Sequence, residues 1–231
     1  MTDKLNGFYS GLLGVVKRPG ATLGRVMEEK NWIPAFFMLM VTIGLLVYLS
    51  FPAQMARMAQ DPQFSELMGE EKAAYFVNTS VFARVMGCFA AIFMLFLSLV
   101  FGAFFLYLVY GIGGSQGTFV NYFALVTHAS LIDTLLPTVL LTLGLLVGVP
   151  IGVVATPFLL FLNPDPRSLG FLILSKLNVF HIWYIVAIAA GVSVYAKMKF
   201  KKAMTIATLY FLVKTFIAVS ASYIIMNIFK P

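Results

Sequence analysis

Five long stretches of this sequence contain almost no charged residues, and this pattern limits the fold more than any other feature. A helix needs roughly 20 apolar residues to cross the hydrocarbon core of a bilayer. The chain is 61% apolar and 11% charged, whereas soluble domains are about half apolar and a quarter charged. We therefore predict an all-α, polytopic transmembrane helix bundle. Its five spans are predicted at 33–51, 85–111, 119–147, 179–196 and 203–229.

The extramembrane segments are too small and too polar to form a core of their own. We predict a single integral membrane domain over residues 1–231. Residues 2–16 place apolar side chains at the spacing of one helical face, and a second short helix is predicted at 19–30, with Pro19 in its first turn. The region 1–32 is therefore predicted to include an N-terminal amphipathic helix that lies in the headgroup plane at the inner face.

The orientation depends on the 44 residues from 119 to 162, which make either one span or two. Five spans with the N-terminus inside place nine Lys and Arg inside and six outside, whereas six spans give eight and seven. Because cations favour the cytoplasmic side, we predict five spans, with the lysine-rich turn 197–202 inside. Residues 149–162, interrupted by Pro150 and Pro157, are then predicted to form a short re-entrant or interfacial element.

Two charged residues lie inside predicted spans, where an unpaired charge is costly. Asp133 is roughly 21 Å above Phe119, and Lys214 is roughly 16 Å above Ala203, at about 1.5 Å per residue. The matching depths favour an intramembrane ion pair between Asp133 and Lys214. In the alternative arrangement Asp133 faces a polar cavity with Ser130 and Thr134, and Lys214 snorkels independently.

Two histidines are further candidates for a polar cavity. His128 precedes Asp133 by five residues, about 140° around a helix, so the two do not share a face. His181 begins the fourth span, and we expect it near the outer interface. Neither histidine belongs to a metal-binding motif, and Cys88 is the only cysteine. We predict no metal and no cofactor.

Small residues mark two helix faces where another backbone can approach closely. Gly144, Gly148 and Gly152 recur at every fourth position, and Ala187 and Gly191 form a similar strip in the fourth span. These faces serve packing within the chain or self-association, so a homo-oligomer is one arrangement that they allow.

Catalytic and nucleic-acid functions find little support. There is no G-x-S-x-G elbow, and no serine, histidine and acid fall into a recognisable motif, so we predict no enzymatic activity. The net charge of +7 is distributed over the ends of spans, without a basic stripe interleaved with exposed aromatics. We expect anionic lipid headgroups, not nucleic acid, as its counterpart.

Several short segments distributed over nearly the whole chain form a familiar set. They are Arg18-Pro19 with Thr22-Leu23 and Trp32, then Gly117-Thr118-Phe119, then Phe180-His181-Ile182-Trp183 followed by Gly191-Val192-Ser193. Together they resemble the Yip family (Ypt-interacting proteins) of polytopic membrane proteins, particularly its bacterial branch. The resemblance implies five spans and a cytoplasmic N-terminus.

Eukaryotic members of that family are associated with Rab-type small GTPases, and they have a longer soluble region before the first span than residues 1–32 provide here. The resemblance therefore implies a bacterial inner-membrane protein with a membrane-organising or accessory role. Its expected partners are membrane lipids and other membrane proteins, including a transport complex. The alternative function is a small transporter or channel subunit with a polar path around Asp133 and Lys214, closed by the element 149–162.

Overall fold

A computed structural model describes residues 14–59, 81–147 and 178–228, together with Gly170 and Ile173. Within these ranges the regular secondary structure is helical, and no strand occurs. The helices are α1 (Pro19–Glu29), α2 (Ile33–Ala59), α3 (Val81–Ile112), α4 (Phe119–Ser130), α5 (Leu136–Val147), α6 (Val179–Tyr195) and α7 (Phe200–Ile228), and a π-helical turn (Leu131–Leu135) joins α4 to α5.

Four helical stretches are long and apolar enough to cross a membrane, and α6 is a shorter apolar helix of 17 residues. The four are Ile33–Ala56, Val81–Ile112, Phe119–Gly144 and Phe200–Ser220. The chain is thus an all-α, polytopic membrane protein. The helices run past the predicted spans 33–51 and 85–111, because helical hydrogen bonding does not end where the hydrocarbon ends. The predicted element 149–162 and residues 2–13 lie outside the described residues.

The third span, formed by α4, the π turn and α5, lies at the centre of the bundle. In an apolar 18-residue stretch of this span 59% of the residues are buried, compared with 22–28% in the corresponding stretches of the other three long spans. α4 is packed against α1, α2, α3 and α6, while α7 packs against α6 and α3. A helix surrounded by protein can hold polar side chains that a lipid-facing helix cannot, so this position suits a charged residue within the membrane.

α1 is amphipathic, but protein covers its apolar face. Pro19 occupies the first turn, where its missing N–H is not needed, and Lys30 ends the helix in a left-handed conformation (φ 53°). Leu23 and Met27 are fully buried against α6 and α4, whereas Arg25 lies on the exposed side. The apolar face of residues 19–29 is therefore used within the chain. The prediction of a helix in the headgroup plane concerns residues 2–16, of which 2–13 lie outside the described residues.

Polar side chains hold the helix ends together at the end of the bundle where α3 meets α4. The Thr118 N–H donates to Asn121 Oδ1 at 2.7 Å, and Asn121 Nδ2 donates to the Met27 carbonyl of α1 at 2.6 Å. The Tyr110 hydroxyl donates to the Ala203 carbonyl at 2.8 Å. Because the last contact joins the end of α3 to the start of α7, both helix ends lie at the same level.

Candidate functional site

The candidate site is built around Asp133, which lies in the π-helical turn of the third span. Pro137 follows four residues later, so it has no N–H to donate to the Asp133 carbonyl, and its ring would crowd that carbonyl in an α-helix. A π turn, with its i→i+5 bonding, relieves this conflict and rotates the helix locally. The turn packs against α6, and the Asp133 side chain is 7% exposed.

Two side chains from other helices meet the Asp133 carboxylate. His181 Nε2 of α6 lies 3.0 Å from Oδ1, and Lys214 Nζ of α7 lies 3.8 Å from Oδ2. The exposed fractions are 22% for His181 and 41% for Lys214. His181 therefore makes the short contact, whereas the Lys214 ammonium approaches at the outer limit of an ion pair. We call these three residues the charged trio.

The start of α6 brings His181 to Asp133. The Asn178 side chain caps the helix by accepting the His181 backbone N–H at 2.8 Å. His181 is about 21 Å from Tyr195 along α6, and Asp133 is about 21 Å from Phe119 along the third span. His181 therefore lies level with Asp133 along the third span. The positive end of the α6 dipole also favours the Asp133 carboxylate.

Two aromatic rings lie next to members of the charged trio. Tyr184 follows His181 by about one helical turn of α6, and Lys214 Nζ lies 5.4 Å from the centroid of the Tyr184 ring. The Tyr184 side chain is 2% exposed, and the His181 ring lies 5.8 Å from that of Phe211. A cation over a desolvated aromatic face gains up to about 2 kcal/mol. Tyr184 thus stabilises the ammonium that approaches Asp133 from α7.

The described hydrogen bonds of His128 and Thr134 lie within the third span. His128 Nδ1 lies 3.0 Å from the Ala124 carbonyl of its own helix. The Thr134 carbonyl accepts the Thr138 hydroxyl at 2.6 Å, and Ser130 is buried at 5% exposure. The structure thus brings Asp133, His181 and Lys214 together and leaves His128 apart from them.

The small residues of α6 face α1. A Cβ added at Gly191 would lie 2.7 Å from the Leu23 Cβ, a distance that real side chains do not adopt. Ala187 is fully buried on the same helix, and Gly144 is buried in α5. Gly148 and Gly152 lie outside the described residues. The strip on α6 is therefore occupied by packing within the chain.

Sequence reasoning selected Asp133 and Lys214 but not the partnership with His181 or the ring of Tyr184. Two features of the sequence could have indicated that a helix starts just before His181. They are Asn178, a good N-cap residue three positions earlier, and the short apolar run that follows it. In the described part of the chain, no three His, Cys, Asp or Glu residues are grouped as metal ligands. Cys88 Sγ donates to the Gly44 carbonyl at 3.2 Å.

One protein-family model, the Yip1 domain, matches residues 13–222 of the chain. The match covers all five predicted spans except the last seven residues of the fifth, and it includes the charged trio. No curated protein and no solved structure matches the chain.

Proposed function

The chain belongs to the Yip1 domain family, and from that premise we propose that it is a non-enzymatic accessory protein that organises a membrane by binding membrane proteins or lipids. We further propose that the membrane is the bacterial inner membrane and that the N-terminus is cytoplasmic. The proposal depends above all on one observation, the separation of two kinds of charge within the described residues.

The charges inside the bundle are directed at one another. Asp133 is in contact with His181 and Lys214, and its side chain is almost fully buried. A carboxylate engaged in this way joins the third span to α6 and α7 and stabilises their packing, since removing one partner of a buried pair is costly. This arrangement supports a structural role for the charged trio in holding a binding surface in shape.

The remaining described cations collect mainly at the end of the bundle where α6 turns into α7. Lys197, Lys199, Lys201 and Lys202 are all exposed there. Lys17 and Arg18 are exposed just before α1, which packs against the end of α6. A basic rim of this kind attracts anionic headgroups, at about 1 kcal/mol for each Lys or Arg near the surface. We call these six residues the basic rim.

The lipid-facing surface is apolar and rich in phenylalanine. On α3, Phe89, Phe93 and Phe101 are 65%, 60% and 67% exposed. On α7, Phe216 is 73% exposed. Such a surface is suited to lipid chains and to the helices of other membrane proteins, which is the chemistry that an accessory role requires.

Purification of the full chain from native membranes in a mild detergent tests this proposal. We expect a protein partner in a fixed ratio, or anionic lipid above its share in the membrane, to be retained. Changing the four lysines of the α6–α7 turn to Gln should lower that retention, whereas changing the exposed Thr205 and Thr208 to Gln should not. Equal retention by both variants, or retention of neither protein nor lipid by the unaltered chain, would contradict the accessory role.

The π turn at Asp133 favours a second function, a small transporter or channel subunit. π turns are frequent at functional sites, and interrupted helices often line substrate paths in transporters. Proton flux into liposomes that contain the purified chain and a trapped pH-sensitive dye tests this alternative. Flux that disappears in Asp133→Asn would support a polar path, and absence of flux from the unaltered chain would exclude proton conduction.

A further inference from the structure

Arg84 is a cation at the end of the bundle opposite the basic rim. It lies in the first turn of α3 and is partly exposed, and its Cζ lies 5.8 Å from the centroid of the Tyr48 ring of α2. In the described part of the chain Arg84 makes no ion pair, and its buried Nε has no hydrogen-bond partner. The guanidinium therefore has N–H donors that the described residues do not use.

We propose that Arg84, held by Tyr48, binds the phosphate of one anionic phospholipid in the leaflet opposite the basic rim. We call these two residues the Arg84–Tyr48 site. This inference deepens the lipid-binding part of the proposed function and depends on it. Because the site and the basic rim lie at opposite ends of the bundle, they bind different leaflets and can be tested separately.

The level of Arg84 matches that of lipid headgroups. The far end of α3, at Ile112, is level with the start of α7 and so with the lysine-rich turn, because the Tyr110 hydroxyl bonds the Ala203 carbonyl. Arg84 is about 42 Å from Ile112 along α3, which at tilts of about 20–40° is roughly 32–39 Å along the membrane normal. The hydrocarbon core is about 30 Å thick, and each headgroup layer adds roughly 5–7 Å. Arg84 therefore lies beyond the far edge of the hydrocarbon, where phosphates are found.

The chemistry of the guanidinium favours a phosphate. A guanidinium is planar, so a ring that covers one of its faces leaves the N–H groups at its edge available. These N–H groups form a fork that binds two phosphate oxygens at once. The cation–π contact with Tyr48 also limits the positions that the guanidinium takes, so less side-chain freedom is lost when the phosphate binds.

Close packing of α2 on α3 holds Tyr48 beside Arg84. About one turn after Arg84, a Cβ added at Gly87 would lie 2.7 Å from the Phe51 Cε2, so the α3 backbone closely approaches an α2 side chain there. The site is thus formed by two helices that are already joined.

The surface on both sides of the site is apolar. Leu45 and Leu49 of α2 are 56% and 49% exposed, and Val85 and Met86 of α3 are 39% and 50% exposed. Acyl chains of a lipid whose phosphate lies at Arg84 can cover these side chains, whereas a soluble phosphate cannot. The surroundings of the site therefore favour a lipid as the source of the phosphate.

Photolabelling of the full chain tests the proposal. The purified chain is reconstituted in phosphatidylcholine vesicles with a minor share of phosphatidylglycerol that carries a photoactivatable group close to its headgroup, and labelled residues are identified by mass spectrometry. We expect labelling at residues 45–49 and 82–86, in addition to labelling near the basic rim. Arg84→Gln should lower the labelling at 45–49 and 82–86 about tenfold, the value of one charge-assisted contact.

Matched variants separate the site from the basic rim and the ring from the charge. Lys202→Gln also removes one cation, but from the basic rim, and should leave the labelling at 45–49 and 82–86 unchanged. Tyr48→Leu removes the ring under the guanidinium and should lower this labelling, whereas Tyr48→Phe keeps the ring and should not. Far-UV circular dichroism checks that each variant is folded, and the Tyr48 pair keeps the test decisive if Arg84→Gln does not fold.

Three results would overturn the proposal while leaving the basic rim intact. One is labelling near the basic rim without labelling at 45–49 and 82–86, or with labelling there that Arg84→Gln and Tyr48→Leu do not lower. Another is equal labelling when the photoactivatable group is carried by phosphatidylcholine, which would show that the anionic charge is not recognised. The third is loss of labelling in excess inorganic phosphate, which would assign the site to a soluble anion. Absence of labelling at both ends of the bundle would instead contradict the lipid-binding part of the proposed function.

Discussion

A single methyl group at Gly191 should separate α1 from α6, and the structure allows the size of the effect to be worked out. An added Cβ meets the Leu23 Cβ at 2.7 Å and the Leu125 Cδ1 at 3.0 Å. The Leu125 methyl can rotate away, but the Leu23 Cβ is fixed to the backbone, so α1 must move. Overpacking of this kind costs about 1–3 kcal/mol. Ala has a higher helix propensity than Gly, and this offsets up to about 1 kcal/mol of that cost.

Two other glycines provide matched controls. A Cβ at Gly24 meets the Val194 Cγ1 at 2.8 Å, but Val194 is 51% exposed and its side chain can turn away. A Cβ at Gly111 meets nothing within 4 Å. We therefore expect Gly191→Ala to be about 1–3 kcal/mol less stable than Gly111→Ala, because both variants gain the same helix propensity and only Gly191→Ala creates the overlap. Gly24→Ala should lose less, and Gly111→Ala should lose none.

The order of stability among the three glycine variants can be measured by unfolding the purified chain in mixed micelles. Circular dichroism follows the loss of helix as the SDS fraction rises. The informative quantity is the difference between Gly191→Ala and Gly111→Ala, since both changes add the same methyl group. If the two variants unfold at the same SDS fraction, α1 is not packed on α6 as described, and the argument from the Gly191 contact fails.

Three further predictions concern the polar contacts. In a double-mutant cycle of Asp133→Asn and Lys214→Met, micelle unfolding should give a coupling of about 0.5–1.7 kcal/mol, and a coupling of zero would show that the 3.8 Å contact contributes nothing. His181→Ala should lower the unfolding midpoint more than His128→Ala, because only His181 meets the Asp133 carboxylate; the reverse order would refute that assignment. Asn121→Ala removes the cap of α4 and the bond to α1 together, so it should cost about 1–2 kcal/mol, and a midpoint unchanged from that of the unaltered chain would argue against both bonds.

The positions of the long apolar helices were predictable because hydropathy is a local property of the chain. The predicted span 179–196 agrees with α6 within one residue at each end, and the predicted span 119–147 begins where α4 begins, at Phe119. The candidate charges were visible for the same reason, since Asp133 and Lys214 interrupt apolar runs. The family resemblance, too, rested on short local segments, and the Yip1 domain match over residues 13–222 confirms the family.

The partners of those residues were less accessible, because lateral packing depends on the rotation of each helix about its axis. The assumption of a continuous α-helix through Asp133 misses the π turn, which changes that rotation just before Pro137. The contact between His181 and Asp133 depends on how far α6 and the third span are shifted along each other, which hydropathy does not determine. The described helix α6 has only 17 residues, and its start is level with Asp133.

The sequence by itself determined that this chain lies in a membrane, where its helices run, and which charged groups enter the apolar region. Burial of apolar residues and the cost of buried charge act on each segment separately, so composition along the chain is sufficient for these conclusions. Only the tertiary structure decided that the apolar face of α1 is covered by α6 and that Asp133 meets His181 as well as Lys214. These contacts join residues far apart in sequence, and they depend on close approach of backbones at Gly191 and on the local π turn.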